Sequence, residues 1–356
     1  MSRYSPIGID IGSAQIKMIQ FRQGRGRVNL HCKAISPTPA EAFEEGVINK
    51  PDLLIKALKR LKEKKRWHKK RANLCLGPRA FYLRKVRLPQ MTEKERRKAM
   101  FWEVEKHFPL AAKEAVFDFC PAGSLTENGE QTGDYLLAAV AKDTANAYTA
   151  VAKGAGFLSA SLEILPLTLY RSLQNSPRVL GGSQKQERKF DNRSALRVLL
   201  DIGFRDSSIV ITRGSLYLYY RNIKTGIDHF CRTLLQSGCV NYRSAYQRVY
   251  ENGPLESRGL LTAADHFTAK VGQSLAYWAD QSECPSSALY SLEFCGGGAF
   301  IPGLASYIEQ KLALKRCLYN PLAPVTGSRS GQQPEVHREE ALYPAAHGLA
   351  LRGWLK

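Results

Sequence analysis

Residues 7–21, IGIDIGSAQIKMIQF, place an aspartate, a glycine and a serine at the tip of an apolar hairpin. The same arrangement returns at residues 199–211, LLDIGFRDSSIVI. Asp10 and Asp201 therefore hold matching places, each two residues before a glycine, Gly12 and Gly203. If two such turns face each other across a cleft, the carboxylates converge, and two hydrated, mutually repelling anions call for a cation between them. Magnesium, bound mostly through its own water, suits such a pair and bridges to phosphates. Glycine lets a turn offer backbone N–H groups to phosphate oxygens with no Cβ in the way. Ser13 adds a hydroxyl, and Lys17 on the following strand can reach a phosphate as a point charge. In the second unit Asp206, Ser207 and Ser208 add donors and acceptors.

Gly296, Gly297 and Gly298 follow the apolar run SLEFC and precede a helix expected to start near Pro302. Three glycines present a flat surface on which ribose and adenine can lie, with a helix N-terminus nearby as partial positive charge. One such tripeptide or glycine loop is also an ordinary turn; the pair of matching turns together with the loop describes a nucleotide site. No GxxxxGK[ST] pattern occurs, which sets aside the P-loop architecture. The seven histidines stand at no ligand spacing, and the eight cysteines form no CxxC pair, so neither a zinc site nor a hydrolase centre is expected.

These residues need strands to carry them. Ile7, Ile9 and Ile11 alternate with Gly8 and Asp10, a period of two. Residues 15–21 and VNLHCKAI continue as strands, and PDLLIKALKRLKEKK, residues 51–65, fits an amphipathic helix. Residues 73–165 read as a compact α/β unit that contains TEKERRKAMFWEVEKHF, a helix opened by a Thr92/Glu95 capping box. A second helix, from Asp143 as its cap, precedes SLEIL. Residues 176–195 are polar and aperiodic, a junction loop between two halves. The strand–DIG–strand–strand pattern then repeats, residues 228–282 are mostly helical, and a second loose stretch, 324–338, precedes a C-terminal helix. The chain is thus expected to be α/β and duplicated, and its 356 residues suffice for two full cores.

With 52 Lys+Arg against 32 Asp+Glu, the net charge is +20 and favours an anionic partner. Residues 56–71, KALKRLKEKKRWHKKR, hold ten of these cations and one acid. The run is either a solvated helix face or a dock for anionic lipid, with Trp67 at the interface. It lacks the stacking aromatics or reading motif that would argue for specific nucleic acid. No apolar stretch approaches the length of a membrane span, and MSRYSPIGID lacks the apolar core of a signal peptide, so a cytoplasmic location is expected.

The chain resembles the PilM family of type IV pilus assembly, itself related more distantly to FtsA. GIDIGSAQIKMIQF looks like the first phosphate motif of that family, LLDIGFRDSSIVITRGSLYLYYRNIKTGID like the second, and EFCGGGAFIPGLASYIEQKL like the adenosine motif. More specific is RKVRLPQMTEKERRKAMFWEVEKHFPLAAKEAVFDF, which resembles the subdomain that replaces subdomain 1B of actin. The resemblance implies an actin-like, ribonuclease H-like duplicated two-lobed ATPase fold. Domain I would comprise residues 1–175, with the inserted unit 73–165 and a C-terminal helix 339–356, and domain II residues 196–338. It implies ATP and Mg2+ between the lobes, with weak or no hydrolysis. Asp10 and Asp201 would stand at the metal, Gly12, Ser13, Lys17, Gly203, Asp206 and Ser207 at phosphates, and Gly296 to Gly298 at the adenosine. Glu163 would lie where the superfamily often keeps a water-positioning residue. It further implies a groove for the cytoplasmic tail of a PilN-like membrane protein, here assigned to Arg84, Lys85 and Arg87 with Leu83 and Val86 on the reverse side, and links to other assembly-platform proteins and motor ATPases. Two rivals remain: a small-molecule kinase of the same fold, and a basic nucleic-acid-binding protein.

Overall fold

The computed structural model describes residues 3–24, 27–68, 70–127, 130–176, 196–282, 289, 291–322 and 338–354. The expected loops at 176–195 and 324–338 lie almost wholly outside these residues.

The chain opens with β1 (Ile7–Ile11), β2 (Gln15–Gly24) and β3 (Arg27–Pro37), an antiparallel meander. A small hairpin of β4 (Phe43–Glu44) and β5 (Val47–Ile48) leads to α1 (Pro51–Glu63) and β6 (Arg71–Leu76). Then come β7 (Tyr82–Pro89), α2 (Glu93–His107), β8 (Ala115–Glu127) and β9 (Glu130–Ala141). α3 (Lys142–Gly154), β10 (Leu158–Ile164) and α4 (Leu165–Gln174) complete the first half. The second half holds β11 (Leu196–Ile202), β12 (Ser207–Arg213) and β13 (Leu216–Ile223), then helices α5 (Ile227–Gln236), α6 (Tyr242–Glu251) and α7 (Arg258–Gln281). It ends with β14 (Ser291–Cys295), α8 (Leu304–Leu312), β15 (Lys315–Leu318) and α9 (Pro344–Leu351).

Two five-stranded sheets share one plan. The first runs β10-β6-β1-β2-β3 and the second β15-β14-β11-β12-β13. In each, a three-strand meander is extended by two parallel strands, with Ile7 beside Ala72 in the first and Val198 beside Leu292 in the second. The duplication read from the two DIG turns is a duplication of whole sheets. Each meander positions its aspartate through the strand period: Ile7, Ile9 and Ile11 are buried in the first core, which turns Asp10 to the other side. α1 covers that core with Leu54, Leu58 and Leu61, all fully buried, each worth about 1.5–3 kcal/mol of apolar transfer. Gly8 takes α9 at close range: a Cβ there would stand 2.0 Å from the carbonyl oxygen of Ala346. The C-terminal helix therefore packs onto β1, β2, β6 and α4 of the first half.

The inserted unit is narrower than the sequence suggested. β6 and β10 belong to the first sheet, and a separate sheet, β7-β9-β8, takes residues 82–141 rather than 73–165. Short apolar runs such as ANLCL carry no mark of which sheet they join, because the partner of β6 is β1, far away in the chain. α2 covers one face of the small sheet, where Val86, Leu88, Met100, Val104 and Leu137 form a core of their own. Its capping box forms as expected: Thr92 accepts from the Glu95 N–H, and the Glu95 carboxylate accepts from the Thr92 N–H at 2.9 Å. α3, by contrast, begins one residue before Asp143, and no side chain caps it.

Candidate functional site

A cavity of about 400 Å³ opens between the two sheets, and the turns after β1 and β11 both line it. The size suits a small-molecule ligand. At the first turn, Gly12 donates to the carbonyl of Gln15 at 3.0 Å, while Thr38 holds the Gly12 carbonyl at 2.6 Å. At the second turn, a Cβ on Gly203 would meet the carbonyl oxygen of Asp206 at 2.5 Å, so only glycine fits. Gly203 and Phe204 also accept from the first N–H groups of α5, which fixes the turn on that helix.

The carboxylates behave differently. Asp10 has Lys17 beside it, Nζ to Oδ2 3.2 Å. The Asp201 carboxyl is pushed up to about 6, first by loss of surrounding water and then by the charge of Asp10, with Lys17 pulling the other way. The charge of Asp10 thus reaches Asp201 across the cavity. One ammonium faces two carboxylates, which leaves an excess negative charge at the cavity floor. Oxygen donors and that excess fit a hard divalent cation bound mainly through water. Among the described residues no group of three or more His, Cys, Asp or Glu forms a metal cage, so such a cation would lean on water and phosphate.

Gly296 has φ +79, and a Cβ there would stand 2.3 Å from Asp201 Oδ1. It and Gly297 line the cavity. Gly298 does not: a Cβ on it would strike Ile202 Cγ2 at 2.2 Å, so its lack of a side chain serves packing.

The other expected residues divide. Gly12, Ser13, Lys17, Gly203 and Asp206 line the cavity. Ser207 is turned away; its hydroxyl donates to the Thr225 carbonyl at 2.7 Å. Its neighbour Ser208, opposite Asp201 in the ladder, lines the cavity instead. Glu163 is not at the cavity wall. Its buried carboxylate is held by Arg171, Nη2 at 2.7 Å, and by Arg352 at 2.9 Å, an anchor for α4 and the C-terminal segment. The apolar Leu165 reaches the cavity from that segment.

Arg84, Lys85 and Arg87 do not form one surface. Lys85 and Arg87 share Asp134, at 2.6 and 2.9 Å. Arg84 is in register with Leu137, on the α2 side together with Val86. Leu83 packs on the first core, so Leu83 and Val86 also face opposite ways, as residues three apart on a strand must. Trp67 is half-buried on that core with Nε1 3.4 Å from the Leu61 carbonyl, not presented outward.

Sequence reasoning missed Arg79, Tyr246, Tyr250 and Phe204, all on the cavity wall. Arg79 follows Gly77-Pro78 at the end of β6, the place that the glycine loop holds after β14; the sheet duplication was the signal. The aromatic residues of α6 lie in a stretch that reads as an ordinary amphipathic helix.

The family described as type IV pilus assembly protein PilM matches residues 8–354. The chain belongs to that family. Among solved structures, a "PilM-PilN type IV pilus biogenesis complex" is similar at 24% identity over 99% of each chain, with a TM-score of 0.83. The ethanolamine utilization protein EutJ from Carboxydothermus hydrogenoformans matches with TM-score 0.54 at 14% identity, covering 99% of this chain and 91% of its own. MreB 5 of Spiroplasma citri, bound to AMPPNP, matches with TM-score 0.52 at 12% identity, covering 98% and 95%. This PilM family member thus has the actin-like ATPase fold. Among its described residues no helix is long and apolar enough to cross a membrane.

Proposed function

We propose that this PilM family member is an ATP-binding scaffold of type IV pilus assembly. The observation that carries the reading is the delivery of Asp10 and Asp201, from duplicated turns, into one cavity where the charge of Asp10 acts on Asp201. Mg2+ would sit between them through water. Phosphates would lie against the N–H groups near Gly12 and Gly203 with Lys17 and Ser13. Gly296 and Gly297 would hold the adenosine, beside Tyr246 and Tyr250. Where β10 ends, Leu165 offers no group to activate water, which favours slow hydrolysis or none. A kinase would need a base for the acceptor hydroxyl. The carboxylates of the wall are Asp10, Asp201 and Asp206, and of these Asp10 and Asp206 already hold Lys17 and Arg79.

The scaffold would bind the N-terminal cytoplasmic tail of a PilN-like membrane protein, in keeping with the partner named for the similar complex. Its place would be the inner face of the cytoplasmic membrane, with residues 56–71 toward anionic lipid, and it would connect the assembly platform to motor ATPases. Calorimetric titration of the purified chain with Mg-ATP tests the first half of this reading; binding is expected, and its absence at millimolar nucleotide overturns it. Anisotropy with a labelled tail peptide tests the second.

A further inference from the structure

Arg79 belongs to neither phosphate motif, yet it is built into the cleft. It ends the turn after β6, and its side chain crosses to the other lobe. Its Nε lies 3.0 and 2.9 Å from the two carboxylate oxygens of Asp206, in the turn between β11 and β12. The stem rests on the β4–β5 turn, where Glu45 and Gly46 have φ 48 and 91. A Cβ on Gly46 would stand 2.7 Å from Arg79 Cβ and 2.8 Å from its Cδ. That turn is a seat cut for the arginine, and a solvated surface arginine has no such seat. Nε is engaged by Asp206, and neither terminal nitrogen makes a hydrogen bond to a described residue.

A guanidinium offers its donors in a planar fork that matches phosphate. Asp206, without its cation, would be a bare carboxylate beside any phosphate in the cavity. The residues suited to the base, Gly296, Tyr246 and Tyr250, belong to the second lobe, whereas Arg79 comes from the first. The guanidinium of Arg79 stands beside the turn after β11, at the phosphate motif of the second half rather than at the base residues.

We propose that Arg79 donates through its terminal nitrogens to the outermost phosphate of a nucleoside triphosphate while Nε keeps Asp206, so that one cation joins that phosphate to both lobes. The inference rests on the nucleotide reading above and adds to it a discrimination of triphosphate from diphosphate. A diphosphate leaves the terminal nitrogens without their partner and the lobes tied by the ion pair alone.

The test is calorimetric titration of the full chain and its Arg79→Ala, Arg79→Lys and Asp206→Asn variants with Mg-ATP and with Mg-ADP. Arg79→Ala is expected to weaken ATP about tenfold or more, the scale of a lost charge-assisted hydrogen bond, and ADP by less than about threefold. Arg79→Lys keeps the charge without the fork and should fall between. Asp206→Asn should lose less than Arg79→Ala, because the phosphate contact survives. Retained ADP binding and an unchanged melting temperature show that a variant is folded. If Arg79→Ala does not fold, the ATP/ADP ratio of Arg79→Lys decides. Equal losses for both nucleotides, or none, overturn the inference and leave the nucleotide reading standing. A wild type that binds neither nucleotide overturns both.

Discussion

Asp10 and Lys17 stand directly opposite each other on β1 and β2, and Lys17 Nζ lies 3.2 Å from Asp10 Oδ2. The lysine expected at phosphate is thus held by the aspartate expected at the metal. The two roles are compatible. An ammonium has three donors and can keep Asp10 while reaching toward an anion in the same cavity. Its charge also acts on Asp201 across the cleft, so this one cross-strand pair sets the electrostatics of the whole floor.

Asp10→Ala and Asp201→Ala should therefore each weaken Mg-ATP about tenfold or more, since each removes one side of the water-bound cation's frame. The fold should survive, because neither carboxylate supports the cores. Calorimetric titration measures the affinity, and thermal melting checks the fold. Unchanged affinity in both variants would remove the pair from the site.

The raised Asp201 carboxyl gives a pH dependence with a definite sign. Its ordinary value in an unfolded chain is about 3.9, and in the folded chain it is pushed up to about 6 by lost hydration and by Asp10. Between these values the folded protein holds a proton that the unfolded chain has released. The contribution of Asp201 to stability is thus full below the lower value and is lost as pH rises through the upper one. Mg2+ needs the ionised form, so magnesium-dependent stabilisation should grow from pH 5 to pH 7.5. Melting with and without Mg-ATP across that range measures it, and Asp201→Asn should flatten both trends. A magnesium effect independent of pH would contradict the assignment.

Glu163 makes the opposite kind of prediction. Its carboxylate is buried and shared by Arg171 and Arg352, so Glu163→Gln leaves two cations short of their partner. Removing one member of such a set costs on the order of 3 kcal/mol. Chemical denaturation should show that loss, while ATP affinity stays within about twofold, because the residue does not touch the cavity. A variant of normal stability and altered turnover would restore a catalytic role.

What could be read in advance was whatever a local pattern carries. The alternation of isoleucine with glycine and aspartate marked β1, and the repeat of its Asp-Ile-Gly turn marked β11, and with them Asp10 and Asp201. The Thr92/Glu95 box fixed the start of α2. What escaped depends on a register of one residue or on a distant partner. Ser207 and Ser208 are adjacent and identical, and only the ladder with β11 decides that Ser208 faces the cavity. Glu163 lies near the end of β10, and the cavity is reached instead by Leu165, the first residue of α4. Arg79 gains meaning only from Asp206, 127 residues away, and no spacing in the chain announces such a pair.

The basic run has an exposed face to offer. Lys56, Lys59 and Arg60 on α1 and Lys64, Lys65 and Arg66 beyond it are exposed, while Trp67 turns back onto the core. Binding to anionic vesicles should therefore be electrostatic, with no insertion of the indole. Changing Lys64, Lys65, Arg66, Lys70 and Arg71 to Gln should reduce co-sedimentation, and raised salt should mimic the change, since screening acts within about 10 Å at 0.1 M. Trp67 fluorescence should not shift on vesicle addition. A wild type indifferent to such vesicles at low salt would make the run a solvated face only.

The partner tail gives the last prediction. On β7, Lys85 and Arg87 share one buried carboxylate, Asp134, while Arg84 lies on the other face of the sheet. An acidic or amide-rich tail that docks along this strand would meet Lys85 and Arg87 together, with part of their charge already met by Asp134. Arg87→Glu would set a second carboxylate beside Asp134 and should abolish binding of the N-terminal peptide of a PilN-like protein. Asp134→Asn should keep that binding or strengthen it, by releasing both cations to the tail. Arg84→Glu, on the far face, should change it less than about threefold. All three should leave ATP affinity unchanged, because none of these residues lines the cleft. Fluorescence anisotropy with the labelled peptide measures each variant against wild type. If Arg87→Glu binds as wild type does, the tail docks elsewhere. If Arg84→Glu alone loses binding, the tail lies on the face of α2 rather than on the face of Asp134.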